Sequence, residues 1–166
     1  GIEATILFYN NRPEYRYQKP NSLFDSESAV VCFPNNFSHD DFEEGVLRVT
    51  NIANFDLWQN ELSLGKENYK AQKEKVYEQS LNILKQCGLR SEYNVLFKDI
   101  FTPTTIKRYT GHFGGTVYGS TDKSRNGTTH LKGLYICGTD QGFLGIVGSM
   151  LSGISMANLH VLQGEL

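Results

Sequence analysis

The sequence predicts an α+β fold, in which a mixed, largely antiparallel sheet packs with a long helix and a strand–loop–helix follows at the C-terminal end. Two observations lead to this prediction. The first part of the chain alternates short β-type runs with turn signals before a long helical period begins. The last part holds 12 of the 16 glycines, all between Gly111 and Gly164. We therefore expect a sheet-and-helix portion over residues 1–110 and a glycine-rich portion over residues 111–166.

Three strands are predicted within the first third of the chain, over residues 2–9, 28–33 and 46–52. The first two runs are rich in apolar, β-branched and aromatic residues, and the third alternates apolar with polar residues. Turn-forming residues at 10–13 and 34–36 separate them. Short strands joined by turns indicate antiparallel or mixed pairing.

A long helix is predicted over residues 66–87. Its apolar face recurs at helical spacing, and Gly88 follows where a C-terminal glycine belongs. The residues predicted on that face are Tyr69, Val76, Tyr77, Ser80, Leu84 and Cys87. Lysines and glutamates alternate on the opposite face, as is typical of a solvated surface. We further expect a loop over 60–65, a strand over 93–101, and a short helical turn from Pro103 to Arg108.

Composition argues against several classes of function. The formal net charge is -2, whereas nucleic-acid binding proteins normally carry a basic surplus. Three cysteines without Cys-x-x-Cys spacing predict neither a disulfide framework nor a zinc site, so a reducing, cytoplasmic location is expected. The histidines also lack ligand spacing, and no metal site is predicted. The chain starts with Gly1 and shows no signal peptide, which we interpret as a piece of a longer protein.

The segment over residues 133–162 has the clearest functional pattern. A short apolar run, 134–137, predicts a buried strand that ends at Gly138, and a helical period begins near Gly145. This layout directs the unpaired amides of a helix N-terminus, with their partial positive charge, toward a ligand. A stripe of small residues lies along the helix, formed by Gly145, Ser149, Ser152 and Gly153.

The same segment fits two other interpretations, a membrane span and a buried helix without a ligand. Residues 143–157 are uncharged, but a membrane span needs about 20 predominantly apolar residues. An ordinary buried crossover helix without a ligand would give the same pattern. The glycine spacing is not the Gly-x-Gly-x-x-Gly of a pyrophosphate site. Pattern alone therefore leaves the presence of a ligand open.

Residues 133–140 and 145–153 resemble the C-terminal FAD motif of the phytoene desaturase, carotenoid isomerase and retinol saturase group. The stretch from Phe101 to Gly119 resembles the piece that precedes this motif. The resemblance implies that the final strand–loop–helix belongs to an FAD-binding domain. The residues that it assigns to cofactor binding are Gly138, Thr139, Asp140, Gly145, Ile146 and Val147.

Within that set, the resemblance implies two different roles. Gly138, Thr139 and Asp140 would lie near the ribityl chain and phosphates, and the N–H groups of residues 145–147 would face flavin O2 and N1. Many members of the group carry an acidic residue directly after the first glycine, whereas Thr139 precedes Asp140 here. Which of these two side chains bonds the ribityl hydroxyls stays open at this point.

The implied activity is that of an FAD-dependent oxidoreductase acting on an apolar polyene, by desaturation, saturation or isomerisation. Residues 1–166 contain no N-terminal Gly-x-Gly-x-x-Gly fingerprint, so the expected partner is a missing dinucleotide-binding segment. This chain alone is expected to bind FAD weakly or not at all and to be inactive. Exposed surfaces of such a fragment favour a homodimer, and any membrane contact would be peripheral and hydrophobic.

Catalytic residues are less well defined. Arg108, His112 and Tyr118 precede the FAD-like motif and are candidates to line the flavin or substrate, although the first two side chains more commonly bond loop carbonyls. Four aromatic residues, Phe101, Tyr109, Phe113 and Phe143, would line an apolar tunnel or pack in a core. The rival function is a stand-alone α+β small-ligand binding module without redox activity. An amine oxidase of the same superfamily is a third possibility.

Overall fold

The computed structural model describes residues 2–37, 43–89 and 94–163. The chain divides into two compact units, Gly1–Thr105 and Ile106–Leu166. This division falls a few residues before the boundary expected at residue 110.

The first unit contains a three-stranded antiparallel sheet in the order β1–β2–β3. The strands are β1 (Ile6–Asn10), β2 (Ser28–Cys32) and β3 (Arg48–Thr50). In the register, Phe8 lies opposite Val30 and Val31 lies opposite Val49. The α+β class is confirmed, and the three observed strands lie at the predicted places. Within the described residues this sheet is wholly antiparallel rather than mixed.

The described residues form four α-helices. They are α1 (Phe55–Ser63), α2 (Lys66–Gln86), α3 (Pro103–Thr110) and α4 (Gly145–Ala157). Shorter turns of 3₁₀-helix occur at Pro34–Phe37, Phe113–Gly115 and Gly138–Gln141, and a π-helical turn at Asn158–Leu162 continues α4.

Helix α2 confirms the prediction from periodicity. Every residue that was assigned to its apolar face is buried or half-buried. After the helix, Gly88 adopts a φ of 84° and its N–H donates to the carbonyl of Lys85. This is the left-handed C-terminal geometry that glycine accepts without a steric penalty.

The loop predicted over 60–65 is wrong, because α1 continues through Ser63. Asn54 starts this helix: its Oδ1 accepts hydrogen bonds from the backbone N–H groups of Asp56 (3.1 Å) and Leu57 (3.3 Å). An asparagine in this position satisfies amides that have no partner within the helix. Trp58, one turn into the helix, is buried.

The strand predicted over 93–101 is also not observed in its described part, residues 94–101. No neighbouring strand pairs with this segment there, and Phe97 is 83% exposed. Residue types that favour strands form them only where a ladder partner and a packing surface are present.

The core of the first unit lies between β2 and the end of α2. Its buried members are Ala29, Val31, Phe33, Ile83 and Leu84. Successive strand residues point to opposite faces, so the odd-numbered residues of β2 face the helix together. The last turns of α2 therefore anchor the long helix on the central strand.

An ion pair between half-buried Arg12 and buried Asp25 fixes the segment that leads into β2. The guanidinium of Arg12 donates two hydrogen bonds to the carboxylate of Asp25, at 2.8 and 2.6 Å. The hydroxyl of Ser28 (2.7 Å) and the N–H of Glu27 (3.0 Å) donate to the same carboxylate. The hydrogen bonds from Arg12 above all lower the pKa of Asp25 from 3.8 to about 2.

This pKa shift predicts a loss of stability in acid. Because the pKa of Asp25 is lower in the folded than in the unfolded chain, its contribution is complete above about pH 5 and disappears as the pH falls toward about 2. We expect a contribution of about 1–2 kcal/mol, after discounting for solvent screening. Urea unfolding at a series of pH values should show that Asp25→Asn removes this part of the pH dependence. Glu67→Gln, at a 91% exposed side chain, should leave it unchanged.

Candidate functional site

The predicted strand 134–137 is not formed in the second unit. Only an isolated antiparallel bridge joins Thr128 to Tyr135, and the segment is exposed, with Leu134 at 53%. The predicted break at Gly138 is present, with a φ of 86°, and the turn Gly138–Gln141 starts there.

Buried polar contacts attach this turn to α4. The N–H of Gly138 donates to Oγ of Ser152 at 2.6 Å, and Ser152 donates in turn to Oε1 of Gln141. Gln141 Nε2 then donates to the carbonyl of Arg125 at 2.9 Å. Ser152 is fully buried and Gln141 nearly so. Ser152, one of the small residues in the stripe along α4, therefore contacts the turn Gly138–Gln141.

The structure holds Thr139 and Asp140 in different ways. Asp140 Oδ1 accepts from the N–H of Ser120 at 2.7 Å, and a Cβ at Gly119 would lie 2.0 Å from that oxygen. The carbonyl of Thr139 accepts from Nζ of Lys123 at 2.9 Å. Among the described residues, no group bonds the Thr139 hydroxyl. The carboxylate is thus used to fix the neighbouring loop, while the hydroxyl stays available.

The N-terminus of α4 is open. The structure describes no side chain that caps it. Gly145 has a φ of 73°, so right-handed helical geometry begins at Ile146. Ile146 is 92% and Val147 64% exposed, and a Cβ at Gly145 would meet nothing within 4 Å. These residues are therefore not enclosed by the protein.

An open cleft of about 740 Å³ lies beside the residues that lead into α4. Its lining residues come from two segments of the second unit: Tyr118, Thr121, Lys123 and Arg125, and the continuous stretch 141–144. Phe143 is half-buried and its backbone contacts Gly148, where a Cβ would come within 3.2 Å of the Phe143 carbonyl carbon. The cleft combines two cationic side chains with aromatic and aliphatic ones.

The structure places only one of the three catalytic candidates at the cleft. Tyr118 lines the cleft, whereas Arg108 and His112 do not. His112 Nδ1 lies 2.8 Å from the carbonyl of Thr116, so this ring bonds a loop carbonyl, as the alternative interpretation expected. The guanidinium of Arg108 lies 5.8 Å from the ring centre of Tyr109 at the exposed end of α3. No chemical role follows from these two contacts.

The aromatic residues near the motif are mostly exposed. Phe101 is 66%, Tyr109 74% and Phe113 93% exposed, which excludes a packed-core role for them in this chain. Phe143, in contrast, is half-buried beside the cleft.

Most apolar side chains of α4 are exposed as well. Together with the turn that follows, Gly145–Leu162 is long and apolar enough to cross a membrane by length and composition, with a mean hydropathy of 1.3 and 11% of it buried. Exposed apolar patches of this kind are typical of surfaces that something else covers.

In the part of the chain that the structure describes, no three His, Cys, Asp or Glu side chains lie together in a way that could hold a metal ion. The described ranges include three of the four histidines; His39 lies outside them. Compared with protein-family models, curated proteins and solved structures, the chain has no significant match. The resemblance to the desaturase group therefore remains a prediction.

Sequence reasoning missed several residues of this site. Lys123, Arg125 and Gln141 line the cleft, yet the sequence analysis assigned none of them to a site. No local signal in the sequence brings these residues together, because Arg125 lies in a turn rather than in a strand. The partner of Ser152 could not be read from the sequence, because Gln141 reaches it only through the turn.

Proposed function

We propose that this chain is the C-terminal part of an FAD-dependent oxidoreductase that acts on an apolar polyene. The supporting observation is the open, uncapped N-terminus of α4, which follows a glycine turn fixed by buried hydrogen bonds. Amides without intrahelical partners stabilise negative charge, and the pyrimidine end of a flavin gains negative charge on reduction. When bound, the cofactor supplies hydride transfer, and the protein supplies orientation and electrostatics.

The residues present fit such a group. Gly145 lets the backbone approach a flat ring, since no Cβ projects there. The N–H groups of Ile146 and Val147 would face O2 and N1. We assign the ribityl contact to Thr139 rather than Asp140, because the Asp140 carboxylate already accepts the Ser120 amide while the Thr139 hydroxyl lacks a partner among the described residues.

The remaining parts of this proposal concern the complete protein. A missing N-terminal dinucleotide-binding segment would hold the pyrophosphate and cover exposed apolar surface of this chain. The substrate would be an apolar small molecule. The protein would be cytoplasmic, with α4 and its neighbours available for peripheral membrane contact. This chain alone would be inactive and would tend to form a homodimer.

The test uses the complete polypeptide encoded by the reading frame that includes this chain. We expect stoichiometric FAD, recognised by its absorption spectrum. Ile146→Pro should weaken FAD binding about tenfold, because proline removes one amide hydrogen at a position where helices tolerate it. Ile146→Ala is the matched control: it keeps the amide and removes only an exposed side chain, so binding should not change.

Two results would contradict the proposal. One is a reading frame without a dinucleotide fingerprint and a purified protein without flavin, which would favour the stand-alone binding module. The other is equal FAD affinity for the proline and alanine variants, which would separate the α4 amides from the cofactor. Unfolding curves for both variants show whether a loss of affinity reflects a loss of fold.

A further inference from the structure

We propose that the cleft beside α4 binds the carboxylate head group of an apolar-chain ligand. This inference deepens the proposed function by narrowing the substrate class to an apolar chain that ends in a carboxylate. It rests on that function only for the claim that the ligand is the substrate. The carboxylate binding itself can be measured without flavin. Three properties of the cleft support it: uncompensated positive charge, a rim fixed by the backbone, and an adjoining apolar wall.

The positive charge of the cleft comes from Lys123 and Arg125. The Lys123 ammonium donates to the carbonyls of Tyr118 and Thr139. Carbonyls orient an ammonium without neutralising it, so its charge remains. Within the described ranges, neither cation pairs with a carboxylate, in contrast to Arg12, Lys19, Lys70 and Lys98.

The two carboxylates nearest in sequence, Asp122 and Asp140, do not line the cleft. Asp140 accepts the amide of Ser120 and does not line the cleft. Asp122 is exposed and also lies outside the lining. The wall of the cleft therefore holds one exposed cation, Arg125, and one half-buried cation, Lys123, without an acidic side chain, and it favours an anion.

The guanidinium of Arg125 suits a ligand with two coplanar oxygens, such as a carboxylate, better than a spherical anion. Its carbonyl is held by Gln141 Nε2 at 2.9 Å, which fixes its backbone at the rim while the side chain stays exposed. A guanidinium presents paired N–H donors in a plane that matches the two oxygens of a carboxylate. A fixed backbone reduces the conformational entropy lost on binding.

The other wall of the cleft is apolar. Tyr118, Phe143 and Leu144 line it, and the exposed Ile146 and Val147 follow directly on α4. A simple inorganic anion would use only the cationic side. A ligand with an anionic head and a hydrocarbon chain would use both, and a volume of about 740 Å³ is in the range of small-molecule sites.

The experiment is a calorimetric titration of the 166-residue chain with octanoate, octanol, acetate and inorganic phosphate. We expect octanoate to bind, and octanol and acetate to bind at least about tenfold more weakly, because each lacks one half of the interaction. Arg125→Gln should weaken octanoate binding about tenfold, and Arg125→Lys should give a smaller loss. Lys132→Gln removes an exposed cation outside the cleft and should have no effect.

Several outcomes would overturn the proposal. Octanol binding as tightly as octanoate would remove the role of the charge. Phosphate binding as tightly as octanoate would indicate a general anion site, such as one for cofactor phosphate. Equal effects of Arg125→Gln and Lys132→Gln, with unchanged circular dichroism spectra, would exclude the cleft. A failure here leaves the flavin test unaffected, since these titrations contain no flavin.

Discussion

Trp58→Ala should lower the free energy of unfolding of the first unit by about 3–5 kcal/mol. Trp58 is 2% exposed, and its ring meets the ring of Tyr69 edge-on, with centroids 5.6 Å apart and an interplanar angle of 79°. Truncation removes a large buried apolar surface and leaves a cavity between α1 and α2. The aromatic pair is lost as well, which adds about 0.5–1.5 kcal/mol.

This prediction is checked by urea unfolding followed by far-UV circular dichroism, since the variant lacks the single tryptophan. Phe97→Ala is the control: it removes an aromatic ring that is 83% exposed, and the unfolding midpoint should shift little. A loss below about 1 kcal/mol for Trp58→Ala would contradict the packing of α1 on α2 described above.

Gly127→Ala should have the largest effect in the second unit, about 2–5 kcal/mol. Gly127 has a φ of 68°, and a Cβ there would lie 2.1 Å from Sδ of Met156 and 2.6 Å from the carbonyl oxygen of Ile136. The methionine side chain can move, but the backbone oxygen cannot do so without disturbing the hydrogen bond from the Ile136 N–H to the Gly127 carbonyl.

Gly133→Ala separates the cost of the close contact at Gly127 from the cost of a positive φ. Gly133 has a similar φ of 81°, but a Cβ there would meet nothing within 4 Å, so only the backbone strain of about 1–2 kcal/mol applies. Amide hydrogen exchange in α4 reports the stability of the second unit directly. Equal protection factors in the two variants would show that the close contact at Gly127 contributes nothing.

Local pattern accounted for much of the fold. The period of α2, the glycine after it and the start of α4 near Gly145 follow from the order of neighbouring residues alone. The places of β1, β2 and β3 also followed from their residue types. These predictions succeeded because helix period and glycine conformation depend on residues a few positions apart.

Prediction failed where a partner distant in sequence decides the outcome. Residues 94–101 and 134–137 have strand-like composition, but the described structure gives them no ladder to join. Helix α1 was not predicted, because the capping role of Asn54 was not recognised. The assignment of exposed aromatics such as Phe113 to a core failed because composition does not specify which surface is covered.

By itself, then, the sequence determined the α+β class, the long helix and the glycine turn before α4, all of which depend on local backbone preferences. Only the tertiary structure decided that Ser152 binds the turn at Gly138, that Asp140 bonds the 119–120 loop, and that Lys123 and Arg125 share one cleft. These contacts join residues separated along the chain, and their energies depend on burial and distance that exist only after the segments pack together.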